Sequence, residues 1–227
     1  MLNGLKLSLV VPTLNEAEGV RHLKTLIPGC VDEVIIVDGD SGDGTREVAA
    51  GFGWKVLLEK RRGYGRAYKT GFPACTGDVI ATADGDGTYP VENLEPLVGE
   101  LVARGLDFVS CARLPLAERG AMDTRNLIGN RLMTLAASVL WLHGFRDILS
   151  GMWIFRRTAL EKLPLDSDNW NLSEEIKLKA YAALGPKFAE LHIPYHPRLG
   201  ETKLMPWKVG VENILYMLRM RAGLTGR

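Results

Sequence analysis

Short apolar runs alternate with segments of helical pattern along the first half of the chain, and this alternation restricts the fold more than any other feature. The apolar runs cover residues 5–11, 33–38, 55–59, 79–83 and 107–111. Between them we predict helices over 16–27, 44–51, 65–74 and 93–104. The runs are continuous, which is typical of strands buried on both faces. The alternation therefore predicts an α/β fold, with a mostly parallel central sheet covered by helices on both sides.

Beyond Arg113 the alternation becomes irregular. We predict helices over 124–141, 173–184 and 208–221, with short strands over 152–155 and 188–193. The 227 residues contain no linker-like segment, and 46% of them are hydrophobic, which suffices for one sizeable core. We expect one domain over 1–227, in which about 1–113 bind a nucleotide and about 114–227 build the acceptor site, ending in an amphipathic helix.

Composition excludes several classes of protein. The net charge of +1 carries no field that would attract nucleic acid. The three cysteines, Cys30, Cys75 and Cys111, lie far apart and have no metal-binding spacing, which fits a reducing compartment. No signal peptide is apparent, and the most apolar stretch, 132–145, is shorter than the ~20 residues that span a bilayer. We therefore expect a cytoplasmic protein.

Two carboxylates stand at the end of the fourth apolar run, in the order Asp84-Gly85-Asp86. Two such carboxylates at a strand end can converge on one hard cation, and Mg²⁺ or Mn²⁺ prefers oxygen ligands completed by diphosphate and water. A polar turn is the alternative interpretation. A calcium loop ending at Glu95 is disfavoured, because Tyr89 occupies the position that requires glycine.

Other polar segments follow the neighbouring strands, at the edge where open α/β sheets bind ligands. They are residues 12–16, 38–45 and 61–65. Asn15 and Asp43 are also explained as helix caps. A phosphate-binding loop with the Walker A pattern is absent. Gly63 and Gly65 begin a dinucleotide fingerprint, but Tyr68 stands where its last glycine belongs, so a dehydrogenase is disfavoured.

Taken in order, these segments resemble the family-2 glycosyltransferases of the GT-A (Rossmann-like) fold, a three-layer sandwich. The resemblance is carried by Val11-Pro-Thr-Leu-Asn-Glu16, by residues 37–45, by Gly63-x-Gly65 with Thr70-Gly71, and by Asp84-Gly-Asp86. Further on, Asp147-Ile-Leu-Ser150-Gly151, Phe155-Arg-Arg157 and residues 197–203 resemble the dolichyl-phosphate mannosyltransferase branch. That branch transfers one sugar from a nucleotide donor to a polyprenyl phosphate, with inversion implied by the family.

The resemblance implies a role for each matching residue. The donor-binding set is Pro12, Leu14, Glu16, Asp38, Asp84, Gly85, Arg198 and Lys203; Asp84 and Asp86 would hold Mg²⁺ or Mn²⁺; and the catalytic set is Asp86, Arg113, Arg131 and Ser150. Departures from the branch leave the base and sugar open, since Gly39 and Thr88 replace an aspartate and a glutamine, and Trp153 replaces an arginine.

The acceptor decides which further groups are needed. A polyprenyl phosphate is already anionic, so it needs cations such as Arg113, Arg125 and Arg131 rather than a base. Arg125 and Arg131 are equally explained as a solvated helix face, and Ser150 as a turn residue. A hydroxyl acceptor would need a general base, for which Glu175 is the candidate; Glu174 and Glu175 otherwise favour the positive end of a helix. A non-catalytic nucleotide-sugar-binding module is a third interpretation.

Two amphipathic segments are candidates for contact with the lipid. Residues 134–145 are rich in Leu, Trp and Phe. The second segment has a stripe of Val211, Ile214, Leu215 and Leu218, with Arg219 and Arg221 near its end. Core packing explains either segment alone. A basic amphipathic terminus also lies readily on an anionic membrane, so we expect peripheral association with the cytoplasmic face of a membrane.

Overall fold

A seven-stranded sheet crosses the protein in a computed structural model that describes residues 2, 4–118, 120–199 and 206–223, without the side chains of 206–209. Its strands are β1 (Leu7–Thr13), β2 (Glu33–Asp38), β3 (Lys55–Leu58), β4 (Val79–Thr82), β5 (Phe108–Ala112), β6 (Trp153–Arg156) and β7 (Phe188–His192). Their order across the sheet is β3-β2-β1-β4-β6-β5-β7. All neighbours pair in parallel except β6, which is antiparallel to β4 and β5. The predicted α/β fold with a mostly parallel sheet is confirmed.

Seven helices accompany these strands in the described part of the chain. They are α1 (Ala17–Leu26), α2 (Thr45–Gly51), α3 (Tyr64–Gly71), α4 (Leu94–Ala103), α5 (Thr124–Trp141), α6 (Leu172–Leu184) and α7 (Pro206–Arg221). Short 3₁₀ helices cover Phe72–Ala74, Val91–Asn93, Arg157–Lys162 and Gly185–Lys187. Each predicted helix and strand overlaps an observed one, and β2 and α5 have the predicted bounds.

The first strand continues past Pro12, where we expected it to end. Pro12 pairs with Val37 of β2, whereas the ladder between β1 and β4 stops at Val10. At Pro12 the strand therefore pairs on one side only. Proline has no backbone N–H to donate, and at this position its absence costs no hydrogen bond of the sheet.

Two apolar clusters cover the two faces of the sheet. In β1, Leu7, Leu9 and Val11 join one cluster and Val10 joins the other, as the alternation of side chains along a strand requires. The first cluster includes buried residues of α1, α2 and α4; the second includes those of α3, α5, α6 and α7. Helices thus lie on both faces, which is the predicted three-layer arrangement.

The outer faces of α5 and α7 are apolar. The large side chains exposed on α5 are Ile128, Leu132, Leu135 and Val139, followed by Leu142, and those on α7 are Val211, Ile214, Leu215 and Leu218. For the α7 stripe, the interpretation as core packing is therefore wrong: the buried positions of that helix are Asn213 and Met217. Within the described residues, no helix has the length and apolar character needed to cross a bilayer.

The chain changes direction across the sheet between β1 and β4. The strands β2 and β3 lie on one side of β1, and β4 lies on the other. Loops that leave the carboxyl ends of β1 and β4 therefore diverge and leave a crevice between them.

Candidate active site

A cavity of ≈ 870 Å³ opens at this crevice. Its walls come from the segments that follow β1, β3 and β4, from the start of α5, and from residues 195–198. Of the residues predicted for the site, the cavity is lined by Pro12, Leu14, Glu16, Asp84, Gly85, Asp86, Arg113, Arg125 and Arg198. The structure thus brings together residues that are separated by almost the whole chain.

Asp84 and Asp86 lie on the cavity wall where β4 ends. The Tyr64 hydroxyl donates to Asp84 Oδ1 at 3.0 Å. Asp86 Oδ1 accepts from the Thr88 amide at 3.0 Å and the Thr88 hydroxyl at 2.7 Å. Asp86 Oδ2 pairs with Arg198 Nη1 at 2.7 Å. Burial, together with the nearby charge of Asp86, raises the pKa of Asp84 to about 7.

This pair of carboxylates fits a hard divalent cation. A carboxylate whose charged form is disfavoured by burial and by a neighbouring negative charge, as for Asp84, is stabilised in that form by a cation placed beside it. The described residues contain no cluster of three or more His, Cys, Asp or Glu side chains, so these two carboxylates would need ligand oxygens or water to complete the shell. Mg²⁺ sites that use one or two carboxylates and substrate phosphates have this composition.

Arg198 joins the two acidic walls of the cavity. One terminal nitrogen pairs with Asp86, and the other donates to Glu16 Oε1 at 3.1 Å. Its Nε is buried and has no hydrogen-bond partner among the residues that the structure describes. A buried donor of this kind is costly unless a ligand accepts from it, which favours an anionic ligand at this position.

Close approach of α1 holds the loop that carries the carboxylates. A Cβ atom at Gly19 would collide with the carbonyl oxygen of Gly85 and would reach within 3.3 Å of Asp86 Cα. Only glycine lets the helix backbone approach this closely. Gly19 was not predicted as a site residue, because a single glycine within a helical pattern gives no indication of its contact.

The Gly63-x-Gly65 segment has a similar function on the opposite wall. Gly63 has φ +145°, and Cβ atoms at Gly63 and Gly65 would collide with the carbonyl oxygens of Asp168 and Ser167. The start of α3 is thereby packed against residues 167–169, and the Gly65 amide donates to the Asn169 carbonyl at 3.2 Å. The two glycines therefore serve close packing between segments about a hundred residues apart.

An aromatic pair results from this packing. Tyr64 stacks on Trp170, with ring centroids 4.6 Å apart and an interplanar angle of 18°. Both rings line the cavity, and Tyr64 also bonds Asp84. Tyr64 lies in the segment 61–65, which we expected at the ligand-binding edge, but the pair was not predicted because the sequence separates the two rings by about a hundred positions.

Arg113 provides a fixed positive charge in the cavity. Its Nε and Nη2 donate to the two oxygens of Asp147 at 2.7 and 2.9 Å, and the guanidinium lies 5.2 Å from the centroid of the Tyr195 ring. In the amide orientation that satisfies both partners, Asn130 donates to Asp147 and accepts from Arg113. Burial disfavours the Asp147 carboxylate, but Arg113 outweighs this effect and holds the pKa of Asp147 at about 2.

A buried lysine supports this pair from behind. Lys177 Nζ donates to the carbonyls of Asp147 and Ile148 at 2.9 and 2.7 Å. Burial lowers the pKa of Lys177 to about 7. The neighbouring Glu174 is also buried, and burial raises its pKa to about 8. The chain thus holds Arg113 with several polar groups removed from water, a costly arrangement that fixes one orientation.

Two predicted residues lie behind the cavity rather than on its wall. Asp38 accepts from the Thr13 hydroxyl at 3.0 Å and from the amide and hydroxyl of Ser41, so it holds two strand-end loops together; Gly39 lines the cavity in its place. Ser150 is buried, and its carbonyl accepts from Trp153 Nε1 at 3.0 Å. Neither side chain lines the cavity, and the observed contacts of both residues position neighbouring loops.

Arg131 and Lys203 do not join the cavity. At about 100° per residue, Arg131 is rotated roughly 160° about the α5 axis from Met133, which lines the cavity. Arg131 instead lines a separate pocket, and Arg125 is the arginine of α5 that lines the cavity, so the position of Arg131 gives no support to its predicted catalytic role. Lys203 lies outside the described residues.

Glu175 is buried, and its carboxylate bonds to other groups of the protein. Its oxygens accept from the amides of Asp166 and Ser167 at 2.8 and 2.9 Å and pair with Lys179 at 2.8 Å. It is not among the residues that line the cavity, which removes the basis for its interpretation as a general base. Its observed role is to anchor the segment that packs on Gly63 and Gly65.

Known protein sequences are similar to this chain over most of its length. A family model described as Glycosyl transferase family 2 matches residues 8–164. A Haloferax volcanii protein named dolichyl-phosphate hexose transferase is 35% identical over 209 residues, covering 90% of this chain and 89% of that protein. The low-salt glycan biosynthesis hexosyltransferase Agl6 of the same organism is 31% identical over 93% of this chain, which spans only 53% of that relative's length.

Among solved structures, glucosyl-3-phosphoglycerate synthase from Mycobacterium tuberculosis, in complex with Mn²⁺, uridine diphosphate and glucosyl-3-phosphoglycerate, has a similar fold. The TM-score is 0.77 at 23% identity, covering 98% of this chain and 82% of the other. At this identity the likeness concerns the fold, which is GT-A.

Proposed function

The chain belongs to glycosyl transferase family 2, and we propose that it moves one sugar, with inversion, from a nucleotide-sugar donor to a polyprenyl phosphate. The relative named dolichyl-phosphate hexose transferase, which the chain matches over 89% of its length, supports this acceptor. The donor would occupy the wall that contains Pro12, Leu14 and Glu16.

One observation carries the choice of acceptor. The cavity runs from the two carboxylates of Asp84 and Asp86 to the start of α5, where Arg113 and Arg125 line it. Both helices that border this end, α5 and α7, have apolar outer faces. Cations inside the cavity, together with apolar side chains on the outside of the helices that border it, suit an acceptor with a phosphate head and a hydrocarbon chain.

The chemistry assigns a task to each group. Asp84 and Asp86 would hold Mg²⁺ or Mn²⁺, and this ion supplies charge stabilisation for the departing diphosphate. Arg198, whose buried Nε–H has no partner among the described residues, would donate to the donor phosphates. The acceptor phosphate oxygen forms a bond to the anomeric carbon while the bond from that carbon to the diphosphate oxygen breaks. No proton has to be removed, so no general base is needed.

Arg113 and Arg125 would bring two anionic substrates together. Asp147 holds the Arg113 guanidinium in one orientation through two hydrogen bonds. Arg125 is exposed and makes no side-chain hydrogen bond or ion pair with another described residue, so its guanidinium is available to a phosphate. Peripheral contact of the α5 and α7 faces with a membrane would present the lipid phosphate to this end of the cavity.

The test is transfer from radiolabelled GDP-mannose, UDP-glucose or UDP-N-acetylglucosamine to polyprenyl phosphate in detergent. We expect metal-dependent formation of a lipid-linked monosaccharide from one donor. Arg125→Ala should raise the acceptor KM or lower kcat, whereas Arg131→Ala, which removes the same charge from the same helix outside the cavity, should not. Transfer only to hydroxyl acceptors would replace this proposal, and donor binding without transfer or hydrolysis would indicate a non-catalytic module.

A further inference from the structure

We propose that a second, basic pocket on the opposite side of α5 binds the phosphate of an anionic phospholipid headgroup. The pocket has a volume of ≈ 440 Å³ and is lined by Leu114, Pro115, Arg131, Arg146 and His192. None of these residues lines the cavity that contains Asp84. The inference rests on the proposed function for its setting at a membrane, but it concerns a separate site whose occupancy is measured without turnover.

The two arginines of this pocket have no competing partners in the described part of the chain. Arg131 and Arg146 are exposed, and their guanidinium groups make no hydrogen bond or ion pair with another described residue. His192 Nε2 lies 2.7 Å from the Pro115 carbonyl, which can only accept, so Nε2 carries a proton. Two guanidinium groups beside one concavity are suited to a phosphate, which accepts paired hydrogen bonds from each.

One acidic side chain lies nearby but is already engaged. Glu190 stands two residues before His192 on β7, and therefore on the same face of the strand. Its carboxylate accepts from the amides of Arg146 and Asp147 at 2.8 and 3.3 Å. It is not among the pocket-lining residues, so the two guanidinium groups face the opening without a carboxylate between them.

The surroundings of Arg131 distinguish a lipid headgroup from a free phosphate ion. Ile128, Leu132 and Leu135 are exposed by 54%, 61% and 60%. At about 100° per residue they form a stripe along α5, with Arg131 on one edge and Arg125 on the other. A dissolved ion needs donors only. A phospholipid presents a phosphate directly above hydrocarbon, which matches basic side chains at the border of an apolar stripe.

The pocket and the active-site cavity therefore lie on the two sides of one membrane-facing stripe. An anionic lipid held at Arg131 and Arg146 would fix the rotation of α5 on the membrane. In that orientation the opening beside Arg125 is also at the membrane surface. The second pocket would thus determine how the enzyme is oriented, in addition to how tightly it binds.

Flotation with phosphatidylcholine vesicles, with and without phosphatidylglycerol, tests the site. A basic residue near an anionic surface contributes about 1 kcal/mol, or roughly fivefold in partitioning, so Arg131→Ala/Arg146→Ala should lower binding to the anionic vesicles roughly 25-fold. The matched control, Arg21→Ala/Arg104→Ala, removes the same charge from exposed positions at α1 and α4 and should lose far less. Equal losses in the two double variants, or no loss in the first, would overturn the proposal.

A further arm separates the two sources of phosphate. Leu132→Ser/Leu135→Ser leaves the arginines in place, so it should weaken vesicle binding while leaving any binding of inorganic phosphate unchanged. If inorganic phosphate at millimolar concentration displaces the protein from vesicles and this serine variant still floats like wild type, the site takes a free ion and the lipid proposal fails. Sugar transfer by the wild-type protein in detergent is measured in parallel. If the wild type transfers sugar but the arginine double variant floats like the wild type, only the lipid-site inference is contradicted. If the wild type transfers no sugar but the arginine double variant loses flotation as expected, only the proposed function is contradicted.

Discussion

Replacing Asp147 by asparagine should destabilise the protein far more than the loss of an ordinary ion pair. Asp147 is fully buried, and both of its oxygens accept from Arg113. The pKa of Asp147 lies at about 2 rather than 3.8, and at about 1.4 kcal/mol per pKa unit this difference corresponds to roughly 2 kcal/mol of stability at neutral pH. Removing one partner also leaves the Arg113 charge buried, which raises the expected loss to about 3–5 kcal/mol.

Urea unfolding at pH 7 measures this loss. The control is Glu100→Gln, which removes an exposed pair with Arg104 at 3.7 Å and should change the free energy of unfolding by less than about 0.5 kcal/mol. A carboxyl group whose pKa is lowered by folding stabilises the folded state when the pH is above its pKa in the unfolded state. This stabilisation is lost as the pH falls through its pKa in the folded state. The advantage of wild type over Asp147→Asn should therefore shrink as the pH falls from about 4 to about 2.

A double variant separates stability from activity. Replacing the pair by apolar residues, as in Arg113→Met/Asp147→Leu, leaves no uncompensated charge and should recover much of the stability lost in Asp147→Asn. Sugar transfer should stay low, because the cavity has lost its fixed cation. The reasoning is refuted if Asp147→Asn unfolds like Glu100→Gln, or if its deficit is the same at pH 3 and pH 7.

Three further substitutions test other parts of the site. Burial raises the pKa of Glu174 from 4.5 to about 8, so the wild-type protein should lose about 1.4 kcal/mol of stability per pH unit as the pH rises between these values, whereas Glu174→Gln should not. If denaturation at pH 5 and at pH 8 shows the same change in stability for both proteins, this expectation is contradicted. Gly19→Ala should lower the melting temperature through its collision with Gly85, whereas Gly99→Ala, whose Cβ would meet nothing within 4 Å, should raise it slightly in scanning calorimetry. Asp86→Asn should lower the transfer rate about 10²–10³-fold in a titration with Mg²⁺ or Mn²⁺, and unchanged activity without any divalent ion would exclude its metal-binding role.

Local patterns were sufficient to predict the elements of this fold but not all of their relations. The continuous apolar runs of the first half predicted five of the seven strands, because strands buried on both faces are mostly apolar. The same rule could not assign the direction of β6. Trp153, Ile154 and Phe155 are all buried, as in a parallel strand, yet β6 runs antiparallel between β4 and β5. Direction depends on the path of the connections, which has no periodic signature.

For the candidate site as well, some residues could be predicted from the sequence and others could not. Polar residues directly after strands, such as Asp84 and Asp86, were predictable because the carboxyl ends of parallel strands meet at one edge. Trp170 and Gly19 were not, since each contributes through a contact with a distant segment. Asp38 has the right position in the chain, but the Ser41 hydroxyl and amide turn its carboxylate away from the cavity. Such contacts depend on loop conformation, which sequence spacing alone does not determine.

The arrangement of side chains on α5 bears on function. An ordinary surface helix buries its apolar stripe, and this expectation would place the polar residues of α5 outside. The structure shows a mixed inner face: Asn130 and Thr134 are buried beside Met133 and Ala137, while Leu132 and Leu135 are exposed. Asn130 is on the inner face because it bonds the Arg113–Asp147 pair beneath the cavity. A helix that buries polar side chains and exposes large apolar ones gains further stability when its outside also leaves water, so the arrangement of α5 favours an apolar environment around the helix. The membrane contact proposed for α5 and α7 supplies that environment, and the need for a charged cavity floor explains why the helix is built this way.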